Sequence, residues 1–205
     1  MRFKEEVLEF KRNRILDVAS ELFYERGYAQ TKLDDIAERL NVTKPVIYQH
    51  VASKAELLAG VSGRTTAFAA VIAQMALDQE GSPTERLARL VHNLVIAVVE
   101  SRIYLAVCFR EEKNLPEEAL KQLQHDRRRF NQSLKALLLQ GREAGEFAFE
   151  DPNVVLQAIT GMATWAFTWY RPDAALKPDD LASQMVRLVL NMVTAPAGSA
   201  SSAAT

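Results

Sequence analysis

The sequence predicts an all-α protein with a small N-terminal helix-turn-helix domain and a larger C-terminal helical domain. Apolar residues recur at helical spacing through most of the 205 residues. Helix-start signals built on Ser, Thr, Asp or Pro recur along the chain, and no segment shows the alternation typical of a β-strand. We expect residues 1–53 to form the first domain, residues 54–194 the second, and the small, polar residues 195–205 a disordered tail.

The first predicted helix supports the N-terminal domain. Gly27 closes this helix, because glycine readily adopts the left-handed conformation that ends a helix. One face of the helix carries Ile15, Val18, Ala19, Leu22, Phe23 and Arg26. We expect this stripe to pack against the helices that follow.

A short second helix is predicted to begin at Thr31. Thr31 and Asp34 have the spacing of a capping box, in which a hydroxyl and a carboxylate bind amide groups left open at a helix start. The apolar stripe then consists of Leu33, Ile36, Ala37 and Leu40. The helix should end at Leu40 or Asn41, because Asn tolerates the left-handed conformation.

A third helix follows after about four residues and completes a helix-turn-helix. Thr43 caps it, and Pro45 occupies the first turn, where the missing amide proton is not needed. Val46 or Ile47 anchors it to the second helix. The second helix of such a motif can enter the major groove of DNA.

The outward side of this helix offers a set of candidate DNA contacts. Gln can bind a base edge in two places, hydroxyl groups reach phosphate oxygens, and Lys supplies charge to the backbone. The candidate contacts are Thr31, Thr43, Lys44, Val46, Tyr48, Gln49, His50 and Lys54. The alternative is a pair of packed helices with a polar exterior, as in any helical bundle.

Charge supports DNA binding only locally. From Arg39 to Ala55 there is no Asp or Glu, while Arg39, Lys44 and Lys54 carry positive charge. Over residues 1–58, ten Lys and Arg residues balance ten Asp and Glu residues. The whole chain has a formal net charge of −1 and a pI near 6.3, so global charge does not indicate a nucleic-acid partner.

The first quarter of the chain resembles the N-terminal domain of the TetR family of bacterial repressors. The resemblance rests on Arg14-Ile15-Leu16, Ala19, Leu22-Phe23, Gly27-Tyr28, Thr31, Asp35-Ile36-Ala37, Val42-Thr43-Lys44, Ile47-Tyr48, His50, Ser53-Lys54 and Glu56-Leu57-Leu58. It implies an all-helical homodimer, an effector pocket in the larger domain, and release from a palindromic operator when a ligand binds. Asn41 stands where the family prefers Gly, and Val51 where Phe is usual.

Capping signals divide the rest of the chain into further helices. Ser53 and Glu56 form a capping box that opens the helix leading out of the first domain. Five later helices are predicted. The first begins at Ser82–Glu85, and the others run from Ile103 to Glu111, from Pro116 to about Gly145, from Asp151-Pro152 to before Pro172, and from Pro178 to about Val193.

The last two helices are predicted to form the dimer interface. Leu181, Met185, Leu188 and Met192 recur at intervals typical of a helix-packing seam. In the preceding helix, small side chains at Ala158, Gly161 and Ala163 allow close approach. We expect a four-helix bundle with the symmetry mates. The alternative is that both helices close the core of one chain.

One charged residue lies on an apolar face and indicates a ligand pocket. Arg127 shares its face with leucines and Phe130, where a guanidinium needs a partner or water. It could bind the acidic head of a ligand whose apolar part contacts Tyr104, Phe109, Phe130, Trp165 and Trp169. Alternatively, Arg127 reaches solvent or pairs with Glu100 or Glu111, and the two Trp residues pack in the core or the dimer interface.

The C-terminal half is similar to TetR-type repressors that control fatty-acid, phenylacetate and steroid-ring catabolism. The similarity rests on residues 161–173, on Asp126-Arg127-Arg128-Arg129-Phe130 and on Gly145-Glu146-Phe147. It implies an acyl-coenzyme A thioester as effector. Thr164 replaces the Asn of the usual Gly-x-x-Asn-Trp pattern.

Composition excludes several other classes of protein. Cys108 alone allows no intramolecular disulfide, and His50, His92 and His125 are too widely spaced for a local metal motif. No apolar run reaches membrane-spanning length, and the charged residues 1–6 do not favour a secretory signal. We therefore expect a cytoplasmic protein without metal, cofactor or catalytic residues.

Together these features predict a homodimeric transcriptional repressor that binds a palindromic double-stranded DNA operator and is released by a small hydrophobic acid or its acyl-coenzyme A ester. A multidrug-type repressor of an efflux gene, with a greasy cationic effector, is the nearest alternative. An enzyme is disfavoured because no nucleophile–base spacing or phosphate-binding loop is present. A helical interaction protein without a role on DNA would not require the capped helix-turn-helix.

Overall fold

The computed structural model describes residues 2–173 and 175–194. Within these residues the chain forms nine α-helices and one 3₁₀ turn, and no strand, which confirms the predicted all-α class. The elements are α1 (Arg2–Arg26), α2 (Leu33–Arg39), α3 (Lys44–Tyr48), α4 (Lys54–Asp78), α5 (Pro83–Glu100), α6 (Arg102–Glu111), η1 (Glu112–Asn114), α7 (Glu117–Glu143), α8 (Pro152–Trp169) and α9 (Pro178–Val193). The predicted tail, residues 195–205, lies outside the described residues.

The predicted capping signals place most helix ends correctly. The Ser82 hydroxyl accepts a hydrogen bond from the Glu85 amide (3.2 Å), and the Glu85 carboxylate accepts one from the Ser82 amide (3.0 Å). Together these two bonds form the capping box of α5. The Asp151 carboxylate accepts the Asn153 amide at 2.7 Å at the start of α8. Gly27, which ends α1, has φ of 87°. These contacts satisfy backbone groups that would otherwise be open at the helix ends.

The first compact unit contains the chain up to Ala67 together with Ser101–His125. Its core consists of apolar side chains from α1, α2, α3, the first turns of α4, α6 and the start of α7. Phe23, Ile36, Ile47 and Leu57 in this core are each 0% exposed. Burying side chains of this size contributes about 1.5–3 kcal/mol each, so the short helices α2 and α3 are held by packing on their neighbours.

The second compact unit contains Phe68–Glu100 and the chain from Asp126 onward. Its centre is α5, which packs against both α8 and α9. The predicted apolar stripe of α5 is confirmed, because its members Leu87, Leu90, Val91, Leu94, Val95 and Val98 are all buried. The Glu146 carboxylate accepts hydrogen bonds from the Thr84 amide (2.9 Å) and hydroxyl (2.6 Å), which fixes the start of α5 to the segment after α7.

The two compact units differ from the two predicted domains, which meet between residues 53 and 54. Compactness groups residues 101–125 with the N-terminal helices, because Val107 and Cys108 of α6 are buried in the same core as Phe23. The helices α4 and α7 each continue from one unit into the other. The boundary between residues 53 and 54 therefore stays a prediction about functional domains.

The predicted seam of α9 proved to be two different surfaces. Leu181 and Met185 are 3% and 7% exposed and pack within the single chain. Their assignment to a dimer interface is therefore wrong, because the single chain already buries both side chains. Leu188 and Met192 are 55% and 39% exposed. Only these two members of the seam remain accessible to a second copy.

Within the described part of the chain, no single helix is long and apolar enough to span a membrane; α5 and α6–η1 reach that composition only as a pair broken by a sharp bend.

We expect Gly141→Ala to destabilise the second unit. A Cβ at Gly141 would lie 2.0 Å from the ring of Phe147, which is 3% exposed, so the ring or the helix must move. Such overpacking costs about 1–3 kcal/mol. Urea denaturation followed by circular dichroism measures the change.

The matched control is Gly63→Ala in α4, where nothing lies within 4 Å of the added Cβ. This variant should gain about 0.5–1 kcal/mol from helix propensity. Equal effects of the two substitutions would contradict the packing of Phe147 on Gly141.

Candidate nucleic-acid interface

The turn between α2 and α3 has the geometry of a helix-turn-helix. Asn41 adopts φ of 54°, the left-handed conformation expected at this position. The amides of Asn41 and Val42 donate to the carbonyl oxygens of Glu38 and Ala37, both at 2.9 Å. The chain thus leaves α2 and enters α3 through a closed, hydrogen-bonded turn.

The anchoring residue of α3 is Ile47. Its side chain is 0% exposed, whereas Val46 is half-buried. Val51, just after α3, is 3% exposed and joins the same core. Because α3 has only five residues, burial of Ile47 on one side forces the neighbouring side chains outward.

The outward side of α3 carries side chains that the sequence predicts to contact DNA. Thr43, Lys44 and Gln49 are exposed, and Tyr48 is 49% exposed. We refer to Thr43, Lys44, Tyr48 and Gln49 as the α3 surface. His50 is half-buried at its edge. Thr43 is the N-cap residue, as predicted, but its hydroxyl makes no capping hydrogen bond and faces outward with the others.

Thr31 does not belong to this surface, and its assignment as a DNA contact is wrong. Its side chain is 0% exposed, and its hydroxyl donates to the carbonyl oxygens of Gly27 (2.9 Å) and Leu22 (3.3 Å). The N-cap of α2 is Lys32, whose amide donates to the Asp35 carboxylate at 2.7 Å. The predicted cap was therefore displaced by one residue, because Thr31 instead secures the end of α1.

Each basic residue of the acid-free segment already has a partner. Lys44 Nζ lies 2.9 and 3.0 Å from the two carboxylate oxygens of Asp34. Arg39 pairs with Glu25 at 2.9 Å. Lys54 Nζ donates to the carbonyl oxygen of Tyr28 at 2.8 Å and lies 4.4 Å from the centre of the Tyr28 ring. The positive charges of Lys44 and Arg39 are thus balanced by carboxylates outside the segment, whereas Lys54 binds uncharged groups.

The electrostatics of these pairs follow from their hydrogen bonds. The hydrogen bond to Asp34, and then its negative charge, raise the pKa of Lys44. The hydrogen bond from Arg39 lowers the pKa of Glu25. Both pKa shifts favour the charged forms of Lys44 and Glu25. As for Lys54, its amine is engaged with Tyr28 and Ala29, so its role as a DNA contact stays a prediction.

Two of the predicted effector residues lie in the first compact unit. Tyr104 is not a plain apolar wall, because its hydroxyl donates to Asp17 of α1 (2.5 Å) and accepts from Arg64 of α4 (2.7 Å). Burial, and then the hydrogen bond to Asp17, raise the pKa of Tyr104. Phe109 is 46% exposed.

The other predicted effector residues lie in the second compact unit. Phe130 is 6% exposed and Arg127 is half-buried, both on the inner face of α7. Trp165 and Trp169 of α8 are 60% and 45% exposed, so they do not belong to the core of a single chain. That the six residues line one pocket stays a prediction.

Sequence reasoning missed the attachment of α6 to α1. Arg110 donates to the carbonyl oxygens of Tyr24 (3.2 Å) and Phe23 at the end of α1. The Glu111 carboxylate, 9% exposed, accepts from Arg110 (3.2 Å) and from Asn114 (2.8 Å). The one signal in the sequence was the adjacent Arg and Glu in an apolar helix, which indicates a buried polar contact without naming its partner.

Among the described residues, no group of three or more His, Cys, Asp or Glu side chains is placed to bind a metal ion.

Two family models match the chain. Residues 80–193 match the model described as "Tetracyclin repressor-like, C-terminal domain", and residues 15–61 match "Bacterial regulatory proteins, tetR family". The second match includes α2, the turn and α3.

Known proteins of similar sequence are regulators of transcription. The transcriptional repressor KstR2 of Mycobacterium tuberculosis is 25% identical over 186 residues, which cover 90% of this chain and 93% of KstR2. The transcriptional activator FasR of Mycolicibacterium smegmatis is 48% identical over 54 residues, which cover only 26% of this chain and 25% of FasR. This shorter match therefore says nothing about the remainder of FasR.

Solved structures show the same fold. The structure of M. tuberculosis KstR2, a ketosteroid transcriptional regulator, has a TM-score of 0.82 at 23% identity and covers 91% of this chain and 96% of that chain. AibR in complex with isovaleryl coenzyme A and operator DNA has a TM-score of 0.73 at 23% identity, covering 86% and 96%.

Proposed function

The chain belongs to the tetR family of bacterial regulatory proteins, and from this premise we propose that it is a homodimeric repressor that binds a palindromic operator through α3. The observation that carries the proposal is the anchoring of α3 by Ile47, which leaves Tyr48 and Gln49 exposed. Gln49 offers a donor and an acceptor to a base edge, and the Tyr48 ring and hydroxyl can contact a thymine methyl or a phosphate. A cytoplasmic location follows from a role on DNA.

A second copy of the chain would bind on the outer face of α8 and α9. This face carries Trp165, Trp169, Leu188 and Met192, all more than a third exposed in the single chain. Ala158 and Gly161 on the same side of α8 are exposed and small, which allows helices to approach closely. An apolar set of this kind is typical of an interface between subunits. A two-fold dimer would present two α3 helices to successive major grooves.

The effector of the proposed repressor is a small hydrophobic acid or its acyl-coenzyme A ester. Arg127 supplies a half-buried positive charge beside Phe130, a combination suited to an acid with an apolar chain. The binding of isovaleryl coenzyme A by AibR, which shares the fold, supports this class of ligand. The alternative is a multidrug-type repressor with a cationic effector, which would leave Arg127 without a role in binding.

Release from DNA would follow if the effector binds better to a dimer in which the two α3 helices are wrongly spaced. Helix α4 begins at Lys54, directly after the α3 segment, and continues into the second unit. A shift of α4 would therefore change the position of α3. The size of the effect is set by the difference in ligand affinity between the two dimer geometries.

We expect Tyr48→Ala to weaken operator binding by about 1–3 kcal/mol per half-site. The wild-type chain first selects a duplex from a random-sequence pool, and fluorescence anisotropy then measures binding of both variants to it. The control is Tyr24→Ala, which removes a tyrosine of similar exposure (46%) from α1. Equal binding by wild type and Tyr48→Ala, with circular dichroism unchanged, would remove α3 from the interface.

We expect Leu188→Lys to convert the dimer to a monomer, because it places a charge on the apolar face of α8 and α9. Sedimentation velocity measures the mass. Val71→Lys on α4 is the matched control, since Val71 is 47% exposed in the same unit but lies outside this face. A dimer that persists in Leu188→Lys would place the interface elsewhere.

A thermal-shift screen identifies the chemical class of the effector. Acyl-coenzyme A esters or hydrophobic acids should raise the melting temperature. At a ligand concentration a hundred times Kd, binding adds about 2.7 kcal/mol to the free energy of unfolding. Arg127→Leu should lose this response, while Arg128→Leu, at an exposed neighbouring position, should keep it. Stabilisation by cationic dyes alone would favour the multidrug alternative.

A further inference from the structure

The lysine of the α3 surface is held by a carboxylate from the preceding helix. Lys44 Nζ lies within 3.0 Å of both carboxylate oxygens of Asp34, which is in the first turn of α2. The two side chains are 52% and 56% exposed, so the pair is open to solvent and can exchange partners. In this respect it differs from a buried pair, which cannot exchange partners without a large desolvation penalty.

The pair matters because no other basic side chain of the segment is available in its place. Arg39 is held by Glu25 at 2.9 Å, with Glu21 at 4.0 Å, and this contact joins α2 to α1. Lys54 donates to the backbone carbonyl oxygens of Tyr28 and Ala29, in the turn that follows α1. Lys44 is thus the cation of the α3 surface that can turn to a phosphate without breaking the contacts that Arg39 and Lys54 make with α1 and the turn after it.

We propose that Asp34 restrains the affinity of the α3 surface for DNA by competing with phosphate for Lys44. This inference rests on the proposed function, since it requires the α3 surface to face a duplex. When Lys44 binds a phosphate, Asp34 loses its cation and is left as a carboxylate close to a polyanion. The gain from the new contact is therefore largely offset.

The restraint acts on every sequence alike, because phosphates carry no base information. It lowers the fraction of the protein that is bound to unrelated DNA. The ratio of the affinity for the operator to the affinity for unrelated DNA stays unchanged. Occupancy of the operator then depends mainly on base contacts from Tyr48 and Gln49. Such a surface is also easier to release, since less of its affinity comes from charge.

The test compares Asp34→Asn with the wild-type full-length chain on two duplexes. One is the duplex that the wild type selects from a random pool, and the other is a mixed-sequence duplex of equal length. Asp34→Asn should bind both about 3- to 10-fold more tightly near 0.1 M salt. The slope of log K against log salt should become steeper by up to about 1, because Lys44 now releases a full counterion.

Two further variants separate the restraint from other effects of charge. Glu38→Gln makes the same change in net charge one turn further along α2; Glu38 is exposed and, within the described residues, forms no ion pair. It should change binding much less than Asp34→Asn. Asp34→Glu keeps the carboxylate within reach of Lys44 and should bind like the wild type. Circular dichroism checks that α2 is intact in each variant.

The outcomes distinguish this inference from the proposed function. If the wild type selects a sequence but Asp34→Asn binds no more tightly, or more weakly, the competition is refuted and the operator function stands. An equal gain in Glu38→Gln would also refute it, since net charge alone would then explain the result. If the wild type selects no sequence, the proposed function fails, and the inference fails with it.

Discussion

Burial of Ile47 is the contact on which the candidate DNA surface depends. A helix of five residues is too short to be stable by itself. Its position is fixed because Ile47 enters a core that also contains Phe23 of α1, Ile36 of α2 and Leu57 of α4. The same contact decides which residues of α3 face outward. The surface is therefore only as well defined as the core beneath it.

The first helix ties this core to the rest of the first unit through polar contacts. Thr31 binds carbonyl oxygens near the end of α1, Arg110 of α6 binds two others, and Tyr104 of α6 binds Asp17. Arg64 of α4 donates to both Tyr104 and Asp17, at 2.7 and 3.1 Å. A displacement of α4 or α6 against α1 must break at least one of these bonds. These bonds therefore fix α4 and α6 against α1, which shares its core with α2 and α3.

The helical pattern could be predicted from sequence because capping chemistry is local. The box at Ser82 and Glu85, the Asp151 cap and the left-handed Asn41 all depend on residues within four positions of each other. Thr31 was misassigned because its hydroxyl binds back to the carbonyl oxygens of Gly27 and Leu22 at the end of α1, and the capping-box spacing does not show which neighbouring helix the hydroxyl binds. The pairing of Asp34 with Lys44 was missed for the same reason, since it joins two helices across a turn.

Longer-range packing was less predictable. The spacing of Leu181, Met185, Leu188 and Met192 correctly indicated a helix that packs on others, but an apolar period does not say whether the partner is the same chain or another copy. The placement of α6 on α1 depends on Arg110, whose partners Tyr24 and Phe23 are more than 80 residues away in sequence. Val107 and Cys108 of α6 are buried in the same core as Phe23. The α3 surface was found because its anchor and its exposed residues are neighbours in the chain.

A crystal structure of the full chain bound to a duplex that it selects would show directly whether α3 binds DNA. We expect two copies of the chain on one duplex, with Ile47 still in the core and with Tyr48 or Gln49 of each copy within hydrogen-bonding distance of the DNA in the major groove. A complex in which α3 faces away from the duplex, or in which the DNA lies on another helix, would contradict it.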